Sequence, residues 1–459
     1  MNRTSITKNV LTASLLTLPF TLVAADAPGV FKVPGTDTTI KIYGFAELNG
    51  TYDMGAHNTD IDDYDWASCL MTLPFDKATA ASGQTYSQKK NSLYMTGRTS
   101  RLGVTTTSPS DFGPITMVLE GDFNSPSPNN FSSPVTTNGN TFRLRKAYGQ
   151  IGGFLFGQTW SNFFDGDSLP DTVDFNAVPS ACLERIPMLQ YTWAAGSKST
   201  LSVSAEFPFN RQWLGNSGGV SSERMTGSND TSYGNGNISS QSIPDLHANW
   251  TYSDGWGHVS VRGVAMFYQG GGNQLVNGTT TPDNSATGWG GAVSGHFNIA
   301  KDTFVWSVQG GDGIGRMMFG SLFQGGINDG QKIDLWKGVG WHVGYTHVWD
   351  AKWRSNLIYS QVNMSDPGAS NGQSLNRWIE QTWAGGAAAL GPDLLPNKTL
   401  QNAMFNTFYQ ISKTASCGIE YAWGTRKTFE TYGATGGPLD SGNTGTQKRI
   451  NFQFHLNFF

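Results

Sequence analysis

The sequence has few charged residues, and it has no long apolar run after its N-terminal segment. Charged residues make up 14% of the chain, and 30 Lys and Arg residues stand against 34 Asp and Glu residues. This near-neutral balance gives no support to nucleic-acid binding. No later stretch has the roughly 20 consecutive apolar residues that a membrane-spanning helix needs. The composition therefore excludes a basic nucleic-acid-binding protein and a protein that crosses a membrane with helices.

Cysteine and histidine are also scarce. The three Cys and seven His residues show no zinc-ligand spacing, and no G-x-S-x-G motif is present. An acidic cluster at 60–65 lacks the glycine and the distal glutamate of a calcium loop. We therefore expect no metal, no cofactor and no enzyme activity. Cys69 and Cys182 form a possible disulfide in an exported protein, and free or buried thiols are the equal alternative.

The first segment has the pattern of an export signal. Arg3 and Lys8 precede a largely apolar run at 10–23 that is too short to span a bilayer, and small residues follow before Asp26. This arrangement predicts a cleaved signal peptide over residues 1–25. Its removal takes away two cations, so the formal charge becomes 28 − 34 = −6.

Glycine and aromatic residues are abundant, which suits a β-rich protein. The chain has 57 Gly, and aromatic residues make up 12% of it. From Arg449 to Phe458, apolar residues at even positions alternate with polar residues at odd positions. Strict alternation means a β-strand with one apolar and one polar face. A membrane barrel strand has this pattern, with lipid on one side and a watery lumen on the other.

Sixteen strand-like runs follow the export signal: 40–53, 91–107, 114–123, 141–152, 153–158, 185–195, 199–207, 245–253, 256–268, 286–299, 301–311, 336–348, 352–363, 398–412, 415–426 and 446–459. The connections between them are alternately short and long, which a soluble β-sandwich does not require. We predict an all-β fold with a short periplasmic segment (26–39) and a barrel domain (40–459). The barrel is a sixteen-stranded antiparallel transmembrane β-barrel with short periplasmic turns and long external loops. A barrel this wide leaves an aqueous channel.

The third long connection, 159–184, is the candidate for narrowing that channel. It contains six apolar side chains: Phe163, Phe164, Leu169, Val173, Phe175 and Val178. It also contains five acids: Asp165, Asp167, Asp171, Asp174 and Glu184. A solvated external loop has little need of so many apolar anchors, whereas a loop packed on the inner wall needs them. We predict that this third loop folds into the lumen, and an ordinary external loop is the alternative.

Strand alternation directs a set of basic side chains toward the lumen: Arg101, Arg143, Arg145, Arg262, Arg354 and Arg449. Glu120 and Asp122 have the same inward parity. Opposite charges that face each other across a narrow gap create a transverse field, and arginine favours anions. The alternative is that these arginines pair with neighbouring acids and stiffen the wall. Arg98 and Lys146 have the lipid-facing parity.

Five motifs resemble the trimeric porins of the DcaP-like type: SRLGV at 100–104, LEGDF at 119–123, FRLRKAYGQ at 142–150, FGQTWS at 156–161 and PDTVDF at 170–175. The resemblance implies an outer-membrane barrel of a Gram-negative bacterium that forms homotrimers among outer-membrane lipids and lipopolysaccharide. It also implies passive uptake of small hydrophilic solutes, leaning to small anions such as dicarboxylates. The positions that carry this preference are Arg101, Arg143, Arg145 and the loop from Gln158 to Phe175.

Two other functions stay open. The net acidity of the chain and of its third loop also suits a porin that prefers cations or zwitterions. An outer-membrane enzyme or adhesin that acts through long loops, such as 208–244 and 364–397, is the alternative from another class.

Overall fold

The computed structural model describes fourteen parts of the chain: 27–54, 77–79, 85–87, 91–124, 142–207, 243–270, 275–276, 279–280, 284–319, 321, 325–327, 333–365, 397–428 and 444–459. The acidic cluster at 60–65, Cys69 and most of the two loops named above lie outside these residues, as does the expected signal peptide.

Sixteen antiparallel strands form one closed wall. They are β1 Thr39–Asp53, β2 Ser92–Thr96 with Arg101–Ser108, β3 Ile115–Asp122, β4 Arg143–Ile151, β5 Phe154–Trp160, β6 Arg185–Ala194, β7 Ser199–Glu206, β8 Asp245–Asp254, β9 Gly257–Gly270, β10 Asn284–Ile299, β11 Asp302–Asp312, β12 Lys337–Val348, β13 Trp353–Met364, β14 Asn397–Gln410, β15 Ala415–Thr428 and β16 Thr444–Asn457. Each strand pairs with the next one in the chain, and β16 pairs with β1. The predicted sixteen-stranded barrel is therefore confirmed, and each strand boundary lies within two residues of its predicted position.

Several short elements accompany the wall. Val30–Lys32 pairs with the start of β1. Among the described residues, two 3-10 helices, Gly166–Ser168 and Ile314–Met317, lie in the third and sixth long connections. Three small hairpins lie in the first, fifth and sixth long connections: Lys77–Thr79 with Thr85–Ser87, Leu275–Val276 with Thr279–Thr280, and Gly325–Ile327 with Ile333–Leu335. No helix in the described part of the chain is long and apolar enough to cross a bilayer.

The wall turns apolar side chains outward and polar side chains inward. On β7, Leu201 is 40% exposed and Val203 is 39% exposed, whereas Ser202 and Ser204 between and beside them are 5% exposed. Pairing of β16 with β1 closes the sheet, so no strand of the described wall has an unpaired edge. A membrane protein needs this closure because lipid offers no hydrogen bonds to backbone N–H and C=O groups. The outer surface is therefore suited to lipid.

Several glycines lie under aromatic rings of a neighbouring strand. The Phe452 ring of β16 covers Gly50 of β1, where an added Cβ would lie 2.0 Å from the ring. The Phe142 ring covers Gly121 of β3 at the same distance. A ring that lies over a glycine fills the space that a side chain would occupy and shields the backbone.

A break within β2 reverses its alternation. Met95, at an odd position, is exposed on the outer face before the break, and Leu102, at an even position, is exposed there after it. Arg98 lies in the break and is buried against side chains of the segment Ser92–Thr96. The assignment of Arg98 to the lipid-facing side is therefore wrong. It assumed an unbroken strand over 91–107, whereas residues 97–100 are not in a strand.

A β-bulge in β4 has the same effect. Glu120 pairs with Lys146, and the next residue, Gly121, pairs with Leu144, so Arg145 is an extra residue in the ladder. Lys146 Nζ donates a hydrogen bond of 3.2 Å to Glu120 Oε2. The lipid-facing assignment of Lys146 is therefore wrong, because the extra residue shifts the alternation by one.

Candidate functional site

Residues 161–184, which we call the lumen segment, leave the end of β5 and return to the start of β6. Its first half is held by the inner side of β7 and β9. The Asn162 backbone N–H donates to Glu206 Oε1 at 2.7 Å. Arg262 Nη1 donates to the Phe163 carbonyl at 2.5 Å. Both of these wall residues are buried, so the segment is fixed where it leaves the wall.

The middle of the lumen segment is held by strands on the other side of the barrel. Arg354 Nε donates to Asp171 Oδ2 at 2.6 Å. The backbone N–H groups of Val173 and Asp174 donate to the two carboxylate oxygens of Glu420, at 3.0 and 3.1 Å. A carboxylate that binds two consecutive N–H groups fixes the local direction of the chain.

Apolar contacts complete the attachment. Val178 and Ala181 pack with the inward side chains Ile358, Met404 and Ala422 of β13, β14 and β15. Leu169 and Leu183 pack against the same cluster. The inner wall is therefore apolar where the lumen segment covers it, which explains why these strands carry apolar residues on both faces.

On the lumen side of β2, β3 and β4, two buried carboxylates each bind more than one cation. Asp122 is fully buried, and it accepts two hydrogen bonds from Arg143, at 2.9 and 2.8 Å, and one from Arg145 at 2.6 Å. Glu120 is also buried and pairs with Arg101 at 3.6 Å and with Arg145 at 3.3 Å. Strands β2, β3 and β4 thus bring the predicted residues of this wall together.

Arg185 is a further cation beside this group. It is the first residue after the lumen segment, and it pairs in the sheet with Trp160. Its guanidinium carbon lies 4.4 Å from the centre of the Trp160 ring, and Phe164 stacks on the same ring at 4.2 Å. Arg185 is close enough to Arg145 for electrostatic interaction. Its side chain forms no hydrogen bond or ion pair with the described residues.

We call these five cations and two carboxylates the basic cluster: Arg101, Arg143, Arg145, Lys146, Arg185, Glu120 and Asp122. Their formal charges sum to +5 − 2 = +3. Arg143 remains 27% exposed although it is paired, whereas Arg145 is almost fully buried. The cluster therefore holds an excess of positive charge, in which Arg143, Lys146 and Arg185 are partly exposed and Arg101 and Arg145 are buried.

The other predicted arginines contact acids or the lumen segment. Arg262 binds Phe163 and Ser294, and Arg354 binds Asp171. Arg449 pairs with Asp53 on the neighbouring strand, at 2.6 and 3.1 Å. These contacts agree with the alternative in which such arginines stiffen the wall.

The acids of the lumen segment differ in their surroundings. Burial alone would raise the pKa of Asp165, but a hydrogen bond from His258 and the nearby Arg262 lower it. Asp174 is buried and caps the Asn176 backbone N–H at 2.9 Å. Asp167 is exposed. The segment therefore keeps negative charge inside the barrel, although much of it is engaged in anchoring.

Cys182 is a buried free thiol whose Sγ lies 3.8 Å from Met317 Sδ. Burial raises the pKa of this thiol to about 12. The possible Cys69–Cys182 bridge and its free-thiol alternative both stay predictions, because Cys69 lies outside the described residues.

Sequence reasoning missed three of the site's features. Arg185 was identified only as the start of a strand, although its position directly after the lumen segment was a usable signal. Lys146 and Arg98 were assigned to the lipid-facing side because no residue type in the sequence indicates the bulge in β4 or the break in β2. The pairing of Glu420 with Val173 was invisible, since 247 residues separate the two partners.

A sequence profile of the porin subfamily matches residues 25–447 of this chain. The chain belongs to the porin subfamily. As a porin, it forms a channel in the outer membrane of a Gram-negative bacterium and is not an enzyme. No curated protein matches its sequence.

The fold of this porin is similar to that of the outer-membrane channel DcaP of Acinetobacter baumannii, with a TM-score of 0.66 and 22% identity over 93% of this chain and 99% of that chain. The resemblance to DcaP-like porins is thus confirmed in fold, and the profile match places the chain in the porin subfamily. Two further structures are more distant. OmpT of Vibrio cholerae has a TM-score of 0.49 and 10% identity over 92% and 98% of the two chains. An anion-selective porin from Comamonas acidovorans has a TM-score of 0.48 and 12% identity over 92% and 100%.

Proposed function

We propose that this porin passes small hydrophilic solutes and prefers small anions such as dicarboxylates. The observation that carries the proposal is the formal charge of +3 on the basic cluster, in which Arg185 has no carboxylate partner within the described residues. A guanidinium binds a carboxylate through two parallel hydrogen bonds. Arg185 and the exposed part of Arg143 are the groups that we assign to the solute.

The lumen segment is proposed as the constriction. Its attachments to β7, β9, β13 and β15 support this role, because they hold the segment against the inner wall at widely spaced strands. Its acids, Asp167, Asp171 and Asp174, and the basic cluster carry opposite charges. Together they give a transverse field that orients dipolar solutes and slows apolar ones.

Arg101 and Arg145 have a different role in this proposal. Both are buried against Glu120, and Arg145 also binds Asp122. They maintain the shape and the positive potential of the wall, while the solute contacts the more accessible arginines. The same division explains why Arg262, Arg354 and Arg449 are paired: they fix the lumen segment and the strand closure.

The remaining expectations belong to this proposal as well. We propose that the porin assembles as a homotrimer surrounded by outer-membrane lipids and lipopolysaccharide. We also propose that residues 1–25 are a signal peptide removed on export, leaving a short periplasmic segment (26–39) before the barrel domain (40–459). The resemblance in sequence supports the trimer, and the composition of the N-terminal segment supports the cleavage.

Solute entry into liposomes tests the preference. Purified porin is incorporated into liposomes, and swelling rates are compared for a neutral polyol, a dicarboxylate and a diamine of similar size. We expect the dicarboxylate to enter fastest at equal concentration. Faster entry of the diamine would support the cation-preferring alternative, which the acids of the lumen segment favour. Absence of swelling with all three solutes would contradict an open channel.

A further inference from the structure

Two histidines on neighbouring strands lie at the point where the lumen segment is anchored. His258 on β9 is directly paired with His296 on β10. Their Nδ1 atoms are 2.7 Å apart, which is hydrogen-bond distance. His258 Nε2 lies 2.9 and 3.1 Å from the two carboxylate oxygens of Asp165 in the lumen segment. Ser294 donates to the same carboxylate.

This arrangement restricts where protons reside. An ionised carboxylate only accepts hydrogen bonds, so His258 Nε2 carries a hydrogen. When both rings are neutral, His258 Nδ1 accepts a hydrogen bond that His296 Nδ1 donates. One added proton leaves one Nδ1 atom as an acceptor, and the contact survives. A second added proton puts hydrogen on both Nδ1 atoms, and the hydrogen bond is lost.

The surrounding charges favour the state with one added proton. The lumen segment contributes Asp165 and Asp167, and β9 contributes Arg262. His342 on β12 interacts electrostatically with Asp165 and contacts the Ser168 carbonyl. The two acids favour a proton on His258, whereas Arg262 opposes it. A second proton on the pair also meets the repulsion of the first one.

Asp165 keeps its charge throughout the range in which histidines titrate. Burial opposes ionisation, but the His258 hydrogen bond and Arg262 outweigh it and lower the pKa of Asp165. A response of this group between about pH 5 and pH 7 therefore belongs to the histidines.

We propose that the His258–His296 pair positions the lumen segment through Asp165, and that protonation of both rings breaks the hydrogen bond between them and changes the passage of ions. The two cationic rings repel each other, whereas the Asp165 carboxylate attracts His258, so His296 is the ring that moves and the anchor loses its contact with β10. His258 and His296 are positioning residues, because they act on the pore through the lumen segment. The inference rests on the proposed role of that segment as the constriction.

The test is single-channel conductance in planar bilayers as a function of pH, from about pH 8 to about pH 4.5, across the histidine range. We expect the wild-type porin to show a transition in conductance and in open-channel noise within this range. His296→Gln keeps a hydrogen-bonding group but removes the second titrating ring, so we expect the transition to be lost.

His347→Gln is the matched control. His347 also pairs with an aspartate, since its Nδ1 lies 2.9 Å from Asp302 Oδ2, but this pair is at the strand ends near a short turn. We expect its pH profile to match that of the wild type. Superimposable profiles of the wild type and His296→Gln would overturn the proposal, while the open channel itself would still support the proposed function.

A measurement on the unaltered protein covers the case in which His296→Gln does not fold. Uniformly isotope-labelled wild-type porin in detergent micelles is titrated by NMR. We expect two mutually dependent histidine signals that titrate in separate steps, the second accompanied by changes in the signals of the lumen segment. Titration of all seven histidines as independent groups would overturn the proposal.

Discussion

The Arg185 guanidinium carbon lies 4.4 Å from the centre of the Trp160 ring, and no carboxylate of the described residues pairs with this arginine. Every other arginine of the basic cluster contacts Glu120 or Asp122. A cation held on an aromatic face keeps its hydrogen-bond donors available. Arg185 is therefore the residue whose replacement separates anion preference from wall stability.

Arg185→Gln should lower the chloride-to-potassium permeability ratio severalfold without loss of folding, because it removes a charge that no partner needs. Arg185→Lys should keep most of the ratio but bind dicarboxylates more weakly, since lysine lacks the planar pair of donors. The ratio comes from reversal potentials in a salt gradient. Lys198→Gln, which removes an exposed cation paired with Asp254 near a short turn, is the control and should leave the ratio unchanged.

Arg145→Ala should destabilise the barrel more than Arg143→Ala does. Removing Arg145 deprives Asp122 and Glu120 of a buried partner, and breaking such a pair costs about 3–5 kcal/mol. Arg143 is 27% exposed, and Asp122 keeps Arg145 when Arg143 is lost. Unfolding in denaturant, followed by electrophoretic mobility without heating, measures the difference. Equal stability of the two variants would show that the buried ion pairs of Arg145 add nothing to the free energy of unfolding.

Glu420→Gln should loosen the lumen segment. Glu420 accepts hydrogen bonds from the N–H groups of Val173 and Asp174 and from the side-chain amides of Asn406 and Asn451. Glutamine offers one accepting oxygen and turns an N–H₂ group toward backbone donors. We expect increased open-channel noise with little change in ion preference. Asp254→Asn is the control, and unchanged noise in Glu420→Gln would contradict the anchoring role.

Cys182 should resist alkylation in the folded porin. Burial raises the pKa of this thiol to about 12, so it stays protonated at neutral and mildly alkaline pH, and the thiolate is the reactive form. The test uses a Cys69→Ser, Cys417→Ser variant treated with a maleimide at about pH 8, below that pKa. Mass spectrometry should show labelling only after denaturation. Rapid labelling of the folded protein would show that the thiol is accessible.

The strands could be predicted from the sequence because lipid and water impose the alternation directly. The alternation of short and long connections then favoured an up-and-down barrel, and the structure confirms that order of strands. The side chains at the site were harder to predict. Parity is reliable only inside an unbroken strand, so the bulge at Arg145 and the break beside Arg98 inverted two assignments.

The partners of the charged side chains could not be predicted from the sequence either. Arg101, Arg143 and Arg145 were expected in the lumen, but strand parity does not reveal that Glu120 and Asp122 engage them. Nor does it reveal that Arg185 lacks such a partner. These differences depend on distances between strands and on the path of the lumen segment, which local sequence patterns do not specify.

The reversal potential of the wild-type porin in a potassium chloride gradient tests the central claim most directly. Purified porin is inserted into a planar bilayer, and the voltage of zero current is measured at neutral pH. The net positive basic cluster predicts a sign that corresponds to greater chloride than potassium permeability. A potential of the opposite sign would contradict the account, because the acids of the lumen segment would then control the pore.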